Sequence, residues 1–183
     1  MVHNLIIISP LLFALFINDL SDKIKTNCLL FADDVKLYNK IGSQLDAQLL
    51  QEDLTYLAAW SDLWKLKLNP AKCKSFTMSL KRNPITVRYN IQDSTLEKVD
   101  TTRDLGVWLD TKLSFAEHIN NTVSKANRAL GAMIRSFQTG HTAGRARRNL
   151  KPEPILAAYF GNIRSVMEFG CVIWGGCCQD TLR

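Results

Sequence analysis

The spacing of apolar and polar positions changes along the chain, and each type of spacing predicts a different secondary-structure element. Residues 5–17 are almost continuously apolar, which predicts a buried helix that starts near Pro10, a residue suited to a first helical turn. Short apolar runs then predict a β-hairpin over residues 27–39, with Asp33 and Asp34 at its turn. The chain is therefore expected to open with a helix followed by a hairpin.

Helical spacing replaces this pattern after the hairpin. Ser43 and Asp46 form a capping-box signature at the start of a predicted helix. Leucines follow at helical spacing and would pack against a sheet: Leu45, Leu49, Leu50, Leu54 and Leu57. Trp60 and Trp64 extend this stripe, and packing in the core is favoured for them over stacking on nucleic-acid bases. An Asn-Pro pair at 69–70 ends the helix in a turn.

Short strand-like runs occupy the middle of the chain. Residues 74–80 and 85–91 are predicted to be strands separated by a basic turn with a proline. Residues 95–99 and 104–109 are predicted to form a further pair. Gly106 inside that last apolar run indicates a bulge or a close approach of another group to the backbone.

A second long helix is predicted in the last third of the chain. A capping box from Ser114 to Glu117 opens it. Its apolar face is expected to hold Ile119, Val123, Ala126, Leu130, Ile134 and Phe137. Lys125, Arg128 and Arg135 flank that face.

The end of the chain has a different composition. Residues 139–154 are Gly-rich and basic and end in proline, which predicts a mobile linker. The arginines of this linker are suited to contact nucleic acid or to act as a nuclear import signal: Arg145, Arg147 and Arg148. A final helix is predicted over residues 155–169, and an apolar segment follows at 171–174.

Positive charge is concentrated in the second half of the chain, whose net charge is +6. Residues 72–151 hold 15 basic and 6 acidic side chains, whereas residues 1–71 hold 6 and 8. Lys and Arg that neutralise phosphates give salt-dependent binding with little sequence preference. The distribution favours a contact with nucleic acid, and a solvated surface is the alternative.

Secretion and zinc binding are both disfavoured. The apolar run at 5–17 is shorter than the ~20 residues of a spanning helix, and no Lys or Arg precedes it as in a signal peptide. A nuclear or cytoplasmic location is therefore expected. The five cysteines lack close metal-ligand spacing, which favours reduced thiols over a zinc site.

Asp33 and Asp34 are the strongest candidates for chemistry. Two adjacent carboxylates at the tip of a hydrophobic hairpin are costly to gather unless a positive group neutralises them. A divalent metal bound to nucleotide phosphates is one such group. An ordinary tight turn is the alternative, because Asp is a favoured turn residue.

Other segments agree with the metal interpretation and stand in a fixed order around the Asp pair. Residues 9–20 come before the tetrapeptide Phe31-Ala32-Asp33-Asp34. The segments after it are Trp60, Trp64 and residues 66–73, 103–110, 113–119, 163–170 and 172–174. Together they resemble the reverse transcriptase of a non-LTR, LINE-type retrotransposon of the Jockey-like kind. Each motif alone is modest, but their collinear order is specific, and the resemblance covers nearly the whole chain.

The resemblance implies an α+β fold in three parts. Residues 1–80 would be a partial palm with the Asp-Asp hairpin on a small antiparallel sheet, and residues 81–112 would be primer-grip-like β-hairpins. Residues 113–183 would be a helical thumb-like region that contains the basic linker. In such a fold Leu105, Gly106 and Val107 would help to position the primer end. An ordinary hairpin glycine at 106 is the alternative.

The resemblance also implies RNA-templated DNA synthesis, with an RNA template, a DNA primer, dNTP substrates and two Mg²⁺ or Mn²⁺ ions. Asp33 would be the main metal ligand. Asp34 would support the same site as an indirect or weaker ligand, because neighbouring strand side chains point to opposite faces. Lys72 matches a lysine that assists the leaving pyrophosphate, unless it is a plain surface lysine.

The family's fingers and the palm strand with a further catalytic aspartate would precede the segments seen in this sequence. The chain alone is therefore expected to be a truncated polymerase with little or no activity. Two other functions stay open. One is a non-catalytic nucleic-acid-binding module that grips a duplex through residues 72–151. The other is a decayed gene product, which would leave a sheet edge and apolar helix faces uncovered.

Overall fold

The computed structural model describes residues 2–139 and 152–176, and it combines helices with small sheets as the α+β prediction requires. The chain forms two compact units. The first contains Met1–Thr77 and Lys81–Val99, and the second contains Met78–Leu80 and Asp100–Arg183.

Two helices and three pairs of strands build the first unit. Its elements are α1 (Val2–Ile17), β1 (Asn27–Phe31), β2 (Asp34–Tyr38), α2 (Gln44–Trp64), β3 (Lys74–Phe76), β4 (Asn90–Ile91), β5 (Ser94–Thr95) and β6 (Glu97–Val99). Strands β1–β2 and β4–β5 are antiparallel hairpins, whereas β3 and β6 pair in parallel. The predicted strands at 74–80 and 85–91 are thus wrong in length, since pairing is confined to their outer ends.

The core of the first unit lies between α2 and the elements packed on it. Leu20, Leu57, Trp60 and Ile91 are buried there, and the inner side of the β1–β2 hairpin packs against them. Trp60 is confirmed as a core residue. Trp64 is 44% exposed, and it meets the ring of Phe16 edge-on at 5.1 Å between centroids.

Helix α2 begins as the sequence predicts. The Ser43 hydroxyl accepts the Asp46 N–H, and the Asp46 carboxylate accepts the Ser43 N–H at 2.8 Å, so the capping box is confirmed. Its buried face differs from the predicted leucine stripe, because Leu45 and Leu49 are exposed. Smaller and polar residues approach the core more closely: Ala47, Asp53, Ala58 and Ser61 are buried.

Helix α1 departs from the prediction in its start and its burial. It begins at Val2, so Pro10 lies inside the helix rather than in its first turn. Ile17 is buried and Phe13 packs against the core, but most other described side chains of α1 are exposed: Ile8, Leu11, Leu12, Leu15 and Phe16. Within the described chain, α1 therefore touches its unit mainly through its last turn and leaves an apolar surface open.

The second unit is a hairpin packed with helices. Its elements are β7 (Thr101–Asp104), β8 (Val107–Asp110), α3 (Ala116–Thr139), α4 (Pro152–Tyr159), a π-helical stretch (Phe160–Arg164), α5 (Ser165–Glu168) and α6 (Cys171–Trp174). β7 and β8 are antiparallel with Leu105 and Gly106 as the turn, so the predicted single strand over 104–109 is wrong. Positive φ angles of 44° and 93° at these two residues make the turn.

The start of α3 is organised by Asp110 rather than by the predicted capping box. The Asp110 carboxylate accepts the N–H groups of Lys112, Ser114 and Phe115, the last at 2.8 Å. The Ser114 hydroxyl accepts the Ala116 N–H at 3.4 Å, one residue earlier than a capping box would require. A carboxylate reaching back from the preceding strand thus replaces the predicted local signal.

Helix α3 buries a face that matches the predicted one only in part. Ala126 is buried as predicted, and so are His118 and Thr122, which were not predicted, whereas three predicted core residues are exposed: Val123, Leu130 and Ile134. The side chain of Phe137 lies outside the described residues. On this buried face the ring of His118 meets the ring of Trp174 edge-on, at 5.5 Å between centroids.

The predicted final helix over 155–169 starts earlier, at Pro152, and ends at Glu168, with the π-helical stretch inside it. The predicted linker at 139–154 falls mostly outside the described residues. Within residues 2–139 and 152–176, every helix is too short or too polar to cross a membrane.

Candidate active site

The turn between β1 and β2 presents the two candidate carboxylates. Phe31 pairs with Asp34 across the hairpin, so Ala32 and Asp33 are the two turn residues and Asp34 is the first residue of β2. The prediction that both aspartates form the turn is therefore corrected at Asp34, which belongs to the strand. Ala32 has a φ of 52°, a conformation that L residues other than Asn and Asp rarely adopt.

Both carboxylates are exposed at this tip. Carboxylate oxygens are the ligands that Mg²⁺ and Mn²⁺ prefer, and two of them on adjacent residues fit one edge of a metal site. Among the described residues, however, no group of three or more His, Cys, Asp or Glu side chains is gathered to hold a metal ion. The hairpin thus fits part of a two-metal site, and no reaction step can be derived from it alone.

The two faces of the hairpin differ in burial. One face is half-buried and carries Cys28, Leu30, Val35 and Leu37, the last three of which pack against the core of the first unit. The opposite face exposes Leu29, Phe31 and Tyr38 to 50% or more. Side chains alternate between the faces because successive strand residues point in opposite directions.

The base of the hairpin is fixed by a buried carboxylate of α2. Asp53, 2% exposed, accepts the backbone N–H of Lys25 at 3.0 Å and that of Thr26 at 2.7 Å. Burial acts to raise the pKa of Asp53, but the hydrogen bonds from Lys25 and Thr26 outweigh it and hold the pKa below its ordinary value. Asp53 is thus an ionised acceptor for the two amides that lead into β1.

The sequence interpretation missed Asp53, although a signal was present. Asp53 lies three residues after Leu50 and four before Leu57, on the stripe that these leucines define. A carboxylate on the apolar face of a helix requires hydrogen-bond donors nearby. This requirement would have identified Asp53 as a residue that binds another part of the chain.

Further contacts hold the other strand at the same end. The side-chain amide of Asn39, just after β2, donates to the carbonyl of Asp46 in α2 at 3.4 Å. The side-chain amide of Asn27 donates to the carbonyl of Tyr38 at 3.3 Å and closes the base of the ribbon. Helix α2 therefore holds both strands of the hairpin at its base.

Lys72 lies in a different element from the Asp pair. It ends the helical turn Pro70–Lys72, is exposed, and donates its backbone N–H to the Asn69 carbonyl at 3.0 Å. Its role in leaving-group chemistry stays a prediction.

The residues predicted to act like a primer grip are brought together at the tip of the β7–β8 hairpin. Leu105 is 48% exposed, Val107 is buried, and Gly106 lies under the ring of Phe169. A Cβ at position 106 would come within 2.9 Å of Phe169 Cε1. The close approach predicted for the Gly106 backbone is confirmed. The approaching group is Phe169, which belongs to the motif at residues 163–170.

Lys125, Arg128 and Arg135 are exposed on one side of α3, next to its buried face. The other predicted nucleic-acid contacts lie outside the described residues: Arg145, Arg147 and Arg148. Cys28, Cys73 and Cys171 are free thiols, and burial raises the pKa of Cys28 and Cys73.

Comparison with known proteins gives the class of this chain. The profile of the family described as "Reverse transcriptase (RNA-dependent DNA polymerase)" matches residues 6–109, more than half of the chain. The matched segment includes most of α1, the Asp-Asp hairpin, α2 and the β7–β8 turn. The chain therefore belongs to the reverse transcriptase family.

Relatives narrow the class to the LINE-type enzymes of transposable elements, as the motifs predict. The "Probable RNA-directed DNA polymerase from transposon BS" of Drosophila melanogaster is 29% identical over 92% of this chain. The corresponding X-element protein of that organism is 24% identical over 97%, and the polymerase from mobile element jockey is 27% identical over 63%. The chain spans about a fifth of the length of the first two relatives. No solved structure matches it at a significant level.

Proposed function

We propose that this chain is the catalytic-hairpin and thumb portion of a retrotransposon RNA-directed DNA polymerase. The observation that carries the proposal is the turn that presents Asp33 and Asp34 together, exposed, on a hairpin whose base is held by α2. The substrates would be those of the family: an RNA template, a DNA primer and dNTPs. Asp33 would be the main ligand of a divalent cation, with Asp34 in support.

Exposed apolar surface supports a place inside a larger polymerase. The open side of α1 and the outer face of the β1–β2 hairpin both carry large apolar side chains. Exposed apolar patches of this kind mark surfaces that pack against other protein. The shares of the relatives that this chain covers agree with this interpretation.

The metal role of the Asp pair can be tested by Mn²⁺ titration of the isotope-labelled chain. Mn²⁺ is expected to broaden the amide signals of residues 32–35, and Asp33→Asn should abolish the effect. Asp93→Asn is a matched control, because Asp93 is the second residue of the two-residue turn between β4 and β5 and follows Gln92 at a φ of 51°. Equal broadening at the two turns would count against a site at Asp33 and Asp34.

The chain alone is expected to extend a primer on an RNA template weakly or not at all. Two metal ions in a polymerase site need carboxylates from more than one strand, and the described residues gather no group of three or more potential metal ligands. Primer extension on an RNA template with Mg²⁺ or Mn²⁺ measures this directly. Robust extension that Asp33→Ala abolishes would show that the chain is a sufficient polymerase.

A non-catalytic nucleic-acid-binding role is the second candidate. Exposed basic residues on one side of α3 and the net positive charge of residues 72–151 favour it. Salt-sensitive duplex binding without dNTP incorporation would be its signature.

A further inference from the structure

We propose that Asp53 is a positioning residue, which acts through the base of the β1–β2 hairpin to set the location of Asp33 and Asp34. The inference rests on the function proposed above for that hairpin. It begins from the fact that the buried Asp53 carboxylate binds two consecutive backbone N–H groups, those of Lys25 and Thr26.

The geometry makes this contact a fixed point for β1. Lys25 and Thr26 directly precede the strand, and two hydrogen bonds from one carboxylate define both the position and the direction of the chain there. Hydrogen bonds to a charged group are stronger than neutral ones, and burial of Asp53 keeps water from competing for them. The strand therefore leaves α2 in a single direction.

The position of the hairpin tip depends on the direction of β1 at its base. β1 spans five residues at roughly 3.3 Å per residue, so a small rotation at its base becomes a larger displacement at Asp33. The second strand meets α2 through the longer Asn39 contact and through apolar packing of the inner face. These contacts tolerate sliding better than the paired bonds to Asp53 do.

Asp53→Asn tests the proposal, because it keeps the side-chain shape but replaces one acceptor oxygen with a donor NH₂ that faces an N–H. Mn²⁺ affinity at residues 32–35 is expected to fall about tenfold, the lower end of the loss seen when support of a metal ligand is removed. Glu52→Gln is the control. Glu52 carries a neighbouring charge and pairs with the Lys25 side chain at 2.7 Å, but it is exposed. The Mn²⁺ affinity of the Glu52→Gln chain should differ from that of the wild type by less than about twofold.

Three outcomes separate the ideas. Weakened Mn²⁺ binding in a folded Asp53→Asn chain, with Glu52→Gln unaffected, supports the positioning role. Unchanged binding in a folded Asp53→Asn chain overturns it and leaves the proposed function standing. Absence of Mn²⁺ broadening at residues 32–35 of the wild type overturns the proposed metal role itself.

A second measurement needs no variant and so does not depend on whether Asp53→Asn folds. Lys25 and Thr26 lie outside the strand, yet their amides are expected to exchange with solvent as slowly as the β1 amides that are hydrogen-bonded to β2. Exchange at the rate of an exposed loop would show that the Asp53 contact does not fix the chain and would overturn the proposal.

Discussion

Asp53, Asp110 and Gln51 share a behaviour that ion pairs at the surface do not have: each binds main-chain groups. The Asp53 carboxylate accepts the N–H groups that lead into β1, and the Asp110 carboxylate accepts three N–H groups before α3. The Gln51 side chain bonds both the main-chain N–H and the main-chain carbonyl of Asn90. A main-chain partner fixes the path of the chain, whereas exposed ion pairs such as Lys25–Glu52 contribute little. These residues determine where irregular segments run.

Gly106→Ala is expected to destabilise the second unit by about 1–2 kcal/mol, because a φ of 93° is strained for any residue with a Cβ. Phe169 would also have to move away from the new methyl group. Urea unfolding followed by circular dichroism measures the change. Gly161→Ala is the control, since a Cβ there meets no atom within 4 Å. Equal effects at the two glycines would contradict the argument.

His118 should make the second unit sensitive to mild acid. Its Nδ1 accepts the Trp108 N–H at 3.4 Å, and burial, together with the charge of Lys125, lowers its pKa below 6.5. The unfolded chain then binds more protons between that lowered pKa and 6.5. Stability is therefore fully present above pH 6.5 and is lost as pH falls through this window.

The measurement is the urea midpoint of the second unit across pH 5–7. His118→Gln has a neutral side chain at every pH and should flatten the dependence. A slope that persists in His118→Gln would assign the effect to other groups.

At the scale of elements, α2 is the support on which the first unit is arranged. Asp53 and the Asp46 carbonyl hold the β1–β2 hairpin, and Gln51 holds the start of β4. The Gln51 side chain donates to the Asn90 carbonyl and accepts the Asn90 N–H, both at 2.8 Å, as a neighbouring strand would. One helix thus organises two hairpins.

Gln51→Ala is expected to release the β4–β5 hairpin, which is only two residue pairs long. Loss of two hydrogen bonds should cost about 1–3 kcal/mol at roughly 0.5–1.5 kcal/mol each. Hydrogen exchange at Ile91 and Leu96 reports it, since both amides belong to this hairpin region. Gln48→Ala, on an exposed position of α2, should leave their protection unchanged.

The elements show which parts of the fold the sequence could predict. Local signals predicted the β1–β2 hairpin and the capping box at Ser43, because turn residues and caps act over a few positions. The burial of α1 and α3 was predicted only in part, at residues such as Ile17 and Ala126. It depends on which face meets partners distant in sequence, such as Trp174 against His118. The same applies to the site: Asp33 and Asp34 follow from a motif, whereas Asp53 acts through a contact 27 positions away.

At the scale of the whole molecule, charge and family membership both agree with the nucleic-acid contact proposed above. The chain belongs to a family of RNA-dependent DNA polymerases, and its positive charge is concentrated in residues 72–151. Template–primer binding should therefore weaken steeply with salt.

The double variant Lys125→Gln/Arg128→Gln should reduce the slope of log affinity against log salt by about 2, since each phosphate contact contributes about 0.9. Fluorescence anisotropy with an RNA–DNA duplex at several salt concentrations measures it. Lys40→Gln/Lys67→Gln removes the same charge from exposed positions of the first unit and should leave the slope nearly unchanged. An equal loss in both pairs would indicate diffuse attraction without a binding face on α3.

The ring of Phe169 over Gly106 has a consequence for the order of folding. The β7–β8 hairpin closes over a few residues, which is a fast and local event. Phe169 lies more than sixty positions beyond Gly106 in the chain, so its arrival requires a long loop to close, with α3 inside that loop. The β7–β8 turn can thus form during synthesis well before its cover exists. The second unit is expected to complete its core only after the segment around residue 170 has been made.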